Sequence, residues 1–348
     1  MENTDDIKFY FAPLEGITGY IYRNAFHETF GGVDKYFIPF LSPGAKKKLT
    51  EKERNDILPE HNARMCAVPQ ILSKNAADVV NACEMLKSLG YEEVNLNIGC
   101  PSGTVVNKGR GAGLLTDLQN LNQFLEGIFS KAEVSISIKT RIGMDDVTEW
   151  EDILKLYNQY PIKELIIHPR LRKDFYNGIP NYEAFSYALE HSKNPICYNG
   201  DINILQDYVN LKARFPQVNS WMIGRGFLRN PFLLKQLRTY EQMREKNDEN
   251  KSYNIMLEEI GSVGMGNVTA EEMSFIDRDN DLELLKQFHH TLLSGYKDYL
   301  SGDTPVLFKM KELWFYMRDL FPEDEKLYKK IKKAKNLLEY ESIVATVF

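Results

Sequence analysis

Eight short runs rich in β-branched and aromatic residues recur along the first two thirds of the chain: 7–12 (IKFYFA), 33–38 (VDKYFI), 64–70 (RMCAVPQ), 93–97 (EVNLN), 134–139 (VSISIK), 164–168 (ELIIH), 195–199 (PICYN) and 220–224 (SWMIG). Amphipathic stretches separate them. In 75–89, for example, Ala76, Val79, Val80, Cys83, Leu86 and Leu89 keep helical spacing. Strands that alternate with helices pack into a parallel sheet with both faces covered, and eight such repeats predict a closed (β/α)8 TIM barrel. The pattern ends near Tyr240. Residues 1–240 are therefore read as a barrel domain and 241–283 as an acidic linker or insertion. Residues 284–348 are read as a small helical domain. Within it, 284–300 and 305–321 have amphipathic spacing, and a lysine-rich third helix is expected from Asp324 to Leu338.

Composition narrows the functional classes. With 43% hydrophobic and 26% charged residues, the 348-residue chain has the balance of an ordinary soluble protein. No window approaches the ~20 apolar residues of a membrane span. The start, MENTDDIKFY, lacks the basic-then-apolar order of a secretion signal, so a cytoplasmic address is expected. The four cysteines form no C-x-x-C pair, which argues against a zinc site or a disulfide framework, and no metal is expected. A net charge of −6 looks unsuited to nucleic acid, but 241–283 alone holds twelve acidic and four basic residues. The remainder is slightly basic.

In a barrel of this kind the chemistry sits where strands end, because the loops after the strands form the open face. The expected strand ends carry Ala12-Pro13, Gln70, Asn97 with Cys100 beyond it, Lys139 with Arg141, His168, Asn199 with Asp201, and Gly224-Arg225. The second strand ends on nothing comparable. Loops after strands seven and eight often bind phosphate, and here they read Asn199-Gly200-Asp201 and Gly224-Arg225-Gly226. Glycine lets backbone N–H groups approach an anion, and Arg225 can fork onto its oxygens; the alternative is that these glycines serve only tight turns. Lys139 should point into the mouth, where its charge needs a partner. An anionic reduced flavin would provide one, with Gln70 and His168 at other polar edges of the ring; a Lys–Asp pair, with Asp201, is the alternative.

Cys100 lies in NLNIGCPSGTVVNKGRGAGLL, after a strand and ahead of a glycine-rich loop. Cys66, Cys83 and Cys197 fall inside strand or helix patterns and are expected to be buried hydrophobes. Cys100 precedes a proline on a loop of the catalytic face, where it can be presented to a substrate. A cysteine thiol is ordinarily protonated at neutral pH and can act as a general acid. The run Gly109 to Gly113 does not match the spacing of a dinucleotide fingerprint and reads as a substrate loop. His289 and His290 are adjacent on a helix, face different directions and do not form a metal pair.

These motifs, in this order, resemble the tRNA-dihydrouridine synthase family. The resemblance runs from Phe11-Ala12-Pro13-Leu14-Glu15-Gly16-Ile17-Thr18 through Asn97-Ile98-Gly99-Cys100-Pro101-Ser102, Lys139-Thr140-Arg141-Ile142-Gly143, His168-Pro169-Arg170 and Asn199-Gly200-Asp201-Ile202 to Gly224-Arg225-Gly226. Lys309-Met310-Lys311-Glu312-Leu313-Trp314 with Met317-Arg318 resembles the family's helical RNA-binding domain. The resemblance implies FMN held by Pro13, Leu14, Glu15, Gln70, Lys139, His168, Asn199, Gly200, Asp201, Gly224 and Arg225, and NADPH as reductant. It further implies hydride transfer from flavin N5 to uracil C6 and a proton from Cys100 to C5. Asn97, Arg141, Arg170, Lys311 and Arg318 are implied on the substrate side. Leu14, Gly19 and Pro169 depart from the family's usual Met, Asp and Gly. None of these changes removes a catalytic group.

Two other functions fit parts of the pattern. An FMN-dependent dehydrogenase of a free pyrimidine such as dihydroorotate also pairs a barrel with a cysteine, and an RNA-binding module could have lost its flavin. The C-terminal charge bears on both. From Pro305 to Leu338 there are nine basic and five acidic residues, and 326–338 holds six lysines and no acid. A free pyrimidine needs no such phosphate-tracking surface, although a solvated helix face would have the same composition.

Overall fold

The computed structural model describes residues 7–44, 48–247, 278–321 and 326–348. Eight parallel strands, β1 (Lys8–Phe11), β2 (Lys35–Leu41), β3 (Ala67–Ile71), β4 (Glu93–Ile98), β5 (Ser135–Arg141), β6 (Leu165–His168), β7 (Ile196–Asn199) and β8 (Ser220–Ile223), pair in sequential order. β1 pairs with β8 and closes the barrel. Each of the eight expected runs is a strand. β2 continues past Ile38 to Leu41 through a register irregularity, and β5 continues past Lys139 to Arg141. β3 starts at Ala67, later than expected, so Cys66 lies outside the strand and is exposed, which corrects its reading as a buried hydrophobe. Cys83 and Cys197 are buried.

Successive strand residues alternate between faces, and this sorts the barrel interior into layers. At the N-terminal end, Lys35 Nζ stands 3.0 Å from Glu93 and 3.4 Å from Glu164, and the Tyr10 hydroxyl donates to Glu164 at 3.0 Å. Above this ionic floor, Tyr10, Ala12, Phe37, Val68, Ile166, Cys197 and Met222 form one apolar cluster. Two residues further along the same faces, Gln70, His168 and Asn199 replace the apolar side chains. The mouth therefore becomes polar while the floor stays sealed.

The chain forms two compact units. The first comprises Met1–Tyr20, Val33–Ile202 and Leu211–Gly224 and contains every barrel strand; the second comprises Ile21–Gly32, Asn203–Asn210 and Arg225–Phe348. In the second unit, Tyr22, Phe26 and Phe30 meet Phe288 edge-on at ring-centroid distances of 5.5, 6.3 and 5.1 Å. Its C-terminal helices span Arg278–Tyr299, Asp303–Met317, Leu327–Lys333 and Leu337–Val344. The single lysine-rich helix expected from Asp324 to Leu338 is thus two. Ala334 is extended, and the Asn336 side chain accepts the Glu339 N–H at 2.9 Å to start a new helix. Residues 324 and 325 lie outside the described residues, as does the central part of the acidic segment, 248–277. Both ends of that segment are helical.

Inside the second unit, Trp314 Nε1 donates to the Tyr340 hydroxyl at 2.8 Å, and that hydroxyl lies 2.5 Å from His289 Nε2. An indole N–H can only donate, so the Tyr340 oxygen accepts from Trp314, while the direction of its bond to His289 follows the imidazole tautomer. Burial lowers the His289 pKa to about 4. With a folded value below the unfolded one, His289 contributes stability fully above pH ~6.5 and loses it as the pH falls towards 4, on the order of 3 kcal/mol. Thermal melts between pH 7 and 4 should therefore fall more steeply for the wild type than for His289→Gln. Equal slopes would show that His289 is not a source of acid lability.

Candidate active site

A ladder of amide hydrogen bonds climbs the barrel wall to the cysteine. Asn95 Nδ2 donates to Ser137 Oγ at 2.9 Å, Gln70 Nε2 to Asn95 Oδ1 at 2.8 Å, and Asn97 Nδ2 to Gln70 Oε1 at 2.8 Å. Asn97 Oδ1 then accepts the Cys100 N–H at 2.9 Å and the Gly99 N–H at 3.2 Å. Gln70 is wholly buried and orients Asn97. Asn97 in turn fixes the turn that carries Cys100, whose side chain remains partly exposed. The far side of that turn is closed by Gly111, which has a φ of +56°. A Cβ there would lie 2.9 Å from both Cys100 Cβ and Cys100 O, and Ala112 N–H donates to the same carbonyl at 3.1 Å.

Arg141 and Arg170 are both 1% exposed. Arg141 donates to Gly99 O at 3.0 Å, Leu171 O at 2.8 Å and Phe175 O at 2.7 Å, tying the loop after β4 to the loop after β6. Burial lowers its pKa to about 10. Arg170 donates to the carbonyls of Asn177 and Gly178 and pairs with Asp201, tying the loop after β6 to the loop after β7. The family resemblance implies both arginines on the substrate side. In the structure the terminal nitrogens of both, and Nε of Arg141, donate to carbonyls and a carboxylate of this chain.

Lys139 lies deep in the mouth yet remains partly accessible from the open end. Burial, together with the neighbouring Arg141 charge, lowers its pKa to about 8. Among the described residues no carboxylate forms an ion pair with it; Asp201, the alternative partner, takes Arg170. Around this cation, His168 ends β6, and a Cβ on Gly200 would lie 3.2 Å from His168 Cδ2. Gly224 faces Ala12 and Leu14, where an added Cβ would sit 3.4 and 3.8 Å from their side chains. Leu14 begins a turn closed by Thr18 Oγ1, which accepts its N–H at 2.9 Å. Pro13 flanks that turn, while Glu15 faces outward and pairs with Lys52 at 2.7 Å. Asn199 Nδ2 donates to Met222 O at 2.8 Å, bracing β7 against β8. The mouth thus combines an uncompensated buried cation, a wall of amides and two glycines that keep space clear, which suits a flat group with an anionic edge.

Three placements were not visible in the motifs. Tyr176 is 52% exposed on the loop after β6, with its ring centroid 6.1 Å from that of His168 and 5.6 Å from the Arg141 guanidinium carbon. The loop after β8, expected as Gly224-Arg225-Gly226, is instead a helix, Arg225–Arg229, with Gly226 buried inside it. In the second unit, Lys311 donates to Ala334 O, whereas Arg318 is exposed and stacks 4.9 Å from the Phe315 ring centroid. Among the described residues no group of three or more His, Cys, Asp or Glu side chains could hold a metal ion, and no helix is long and apolar enough to cross a membrane.

The chain is similar in sequence to known proteins. The chain is 29% identical over 266 residues to tRNA-dihydrouridine synthase B of Pasteurella multocida, covering 73% of this chain and 76% of the relative. It is 27% identical over 236 residues to a probable tRNA-dihydrouridine synthase of Helicobacter pylori, covering 66% and 69%. A tRNA-dihydrouridine(16) synthase of Cupriavidus necator is 22% identical over 345 residues, 97% of this chain and 96% of that one. The dihydrouridine synthase (Dus) family model matches residues 10–273, a span that takes in the end of β1, all of β2 to β8 and the cysteine loop, and the chain belongs to the dihydrouridine synthase family.

Proposed function

We propose that this protein reduces uridines in tRNA to 5,6-dihydrouridine, with FMN as resident cofactor and NADPH as reductant. The observation that carries the proposal is the part-exposed Cys100, held by Asn97 on the loop directly after β4, in a mouth that also holds Lys139, with which no carboxylate among the described residues forms an ion pair. Residues fitting the flavin are Pro13 and Leu14 along one edge, Lys139 for the anionic side of the ring, His168, and Asn199 to Asp201 with Gly224 and Arg225 towards its phosphate. Bound and reduced, FMN supplies the hydride that reaches uracil C6.

The chain's own residues do the rest. Cys100 Sγ–H gives its proton to C5, so that one hydride and one proton together saturate the C5–C6 bond, and the thiolate left behind is reprotonated from solvent at its exposed side. Asn97 sets the height of the thiol through its two backbone contacts. Arg141 and Arg170 act as positioning residues, each joining two loops. Tyr176 offers an exposed ring on which the uracil can stack. A recessed thiol cannot reach a stacked base, so the target nucleotide must leave the folded tRNA and enter the mouth. Residues 284–348 serve as the tRNA-binding part. Lys329, Lys330, Lys332, Lys333 and Lys335 are exposed around the buried Leu327 and Ile331, and the exposed Arg318 can reach RNA.

The test uses purified protein loaded with FMN, supplied with NADPH and unmodified tRNA. Dihydrouridine in the digested tRNA supports the proposal. Reduction of a free pyrimidine with none of the tRNA, or a colourless protein that takes up no FMN, overturns it.

A further inference from the structure

The loops after β3 and β4 carry charge of one sign. Residues 71–77 and 94–116 contain no Asp or Glu, yet they hold Lys74, Lys108 and Arg110. The fold brings these cations to one corner of the mouth. Gly109 has a φ of +67°, and a Cβ placed on it would lie 3.5 Å from Cδ and 3.9 Å from Nζ of Lys74. Lys108 and Arg110 flank that glycine. Lys74 and Lys108 are exposed, and among the described residues no carboxylate pairs with any of the three. The Arg110 Nε is buried without a hydrogen-bond partner. The corner also adjoins the thiol, because Gly111, next to Arg110, is the residue packed against Cys100 Cβ.

We infer that Lys74, Lys108 and Arg110 form a phosphate site for the polynucleotide backbone immediately beside the reacting nucleotide, which holds the strand while the base enters the mouth. Three unpaired cations on loops free of acids repel one another, and a phosphodiester oxygen relieves that repulsion. Arginine offers a planar fork and the lysines two mobile ammonium groups, a combination suited to a tetrahedral anion. The loop after β5 has the opposite character, with Asp145, Asp146 and Glu149 exposed or turned onto their own backbone. An incoming strand is therefore drawn to the β3–β4 side of the thiol and away from the β5 side. This site presupposes the tRNA substrate proposed for the enzyme and adds where the strand is gripped.

The test compares binding of unmodified tRNA to the FMN-loaded wild type and to Lys74→Gln/Lys108→Gln as salt is varied. Each cation withdrawn from a phosphate should flatten the slope of log affinity against log salt by about 1, so the double variant should flatten it by about 2, and Lys74→Arg/Lys108→Arg should restore the slope. A wild-type slope in the Gln variant overturns the inference. So does an unchanged slope with a raised KM for NADPH in flavin reduction, which would give these cations to the dinucleotide's phosphates. Failure of the wild type itself to bind or modify tRNA would count against the tRNA substrate, and that outcome is separate from any difference between variants.

Discussion

Cys100→Ala is expected to lower dihydrouridine formation by roughly 10²- to 10⁴-fold, the usual contribution of a positioned general acid, while the protein keeps its flavin. The two effects separate because the thiol and the residues proposed to hold the flavin come from different parts of the mouth. Cys100 is held by the β4 loop through Asn97 and Gly111. Lys139, His168, Asn199 and Gly224 belong to β5 through β8 and their ends. Removing one sulfur leaves the amide ladder from Ser137 to Asn97 intact, since its last rung bonds the backbone N–H of residue 100 and not its side chain. Flavin absorbance of the purified variant and dihydrouridine per tRNA over time read the two effects independently. Undiminished turnover would end the proposed role of the thiol.

Gly111→Ala should be nearly as damaging although it touches no reacting atom. The new Cβ would meet Cys100 Cβ and O at 2.9 Å and Val105 Cγ1 at 3.0 Å, and the backbone there is left-handed. An L-residue in that conformation costs about 1–2 kcal/mol. The larger effect is on position: the collision can be relieved only by moving the cysteine turn, and a shift of about 1 Å at a reacting group costs on the order of 10²-fold in rate. Loss of turnover with retained flavin and a small drop in melting temperature is the expected pattern. Full activity would show that the loop after β4 moves freely around its glycines and that Gly111 does not set the thiol.

The barrel was legible in the sequence because each strand is buried on both faces and therefore reads as a short apolar run between helical patterns. The mouth was legible for a related reason. Polar residues at the ends of such runs, Asn97, Lys139, His168 and Asn199, break an apolar pattern that packing alone would continue. Destinations of long side chains were not legible. Arg141 ends up on Phe175 O and Arg170 on Asp201, 34 and 31 residues away, and no local pattern says that a guanidinium at a strand end will turn to a neighbouring loop and not to a ligand. Lys311 met the same fate at Ala334 O. Cys66 falls one residue before β3, at a boundary the residue pattern does not mark, and the break at Ala334 is hidden by a lysine run that reads as helix while Asn336 caps the next one. Tyr176 sits on a loop without periodicity, so only the fold places its ring beside His168.

The most direct measurement of the thiol's role is a single turnover. Wild-type protein and Cys100→Ala, each with its flavin reduced in advance and the excess reductant removed, are mixed with unmodified tRNA under exclusion of oxygen, and the return of oxidised-flavin absorbance is followed alongside dihydrouridine in the quenched tRNA. The wild type is expected to regain its yellow colour with one dihydrouridine formed per flavin, and the alanine variant to do so roughly 10²-fold or more slowly. Equal rates in the two proteins, or a wild-type flavin that stays reduced in the presence of tRNA, would contradict a proton donated by Cys100 to a tRNA uridine.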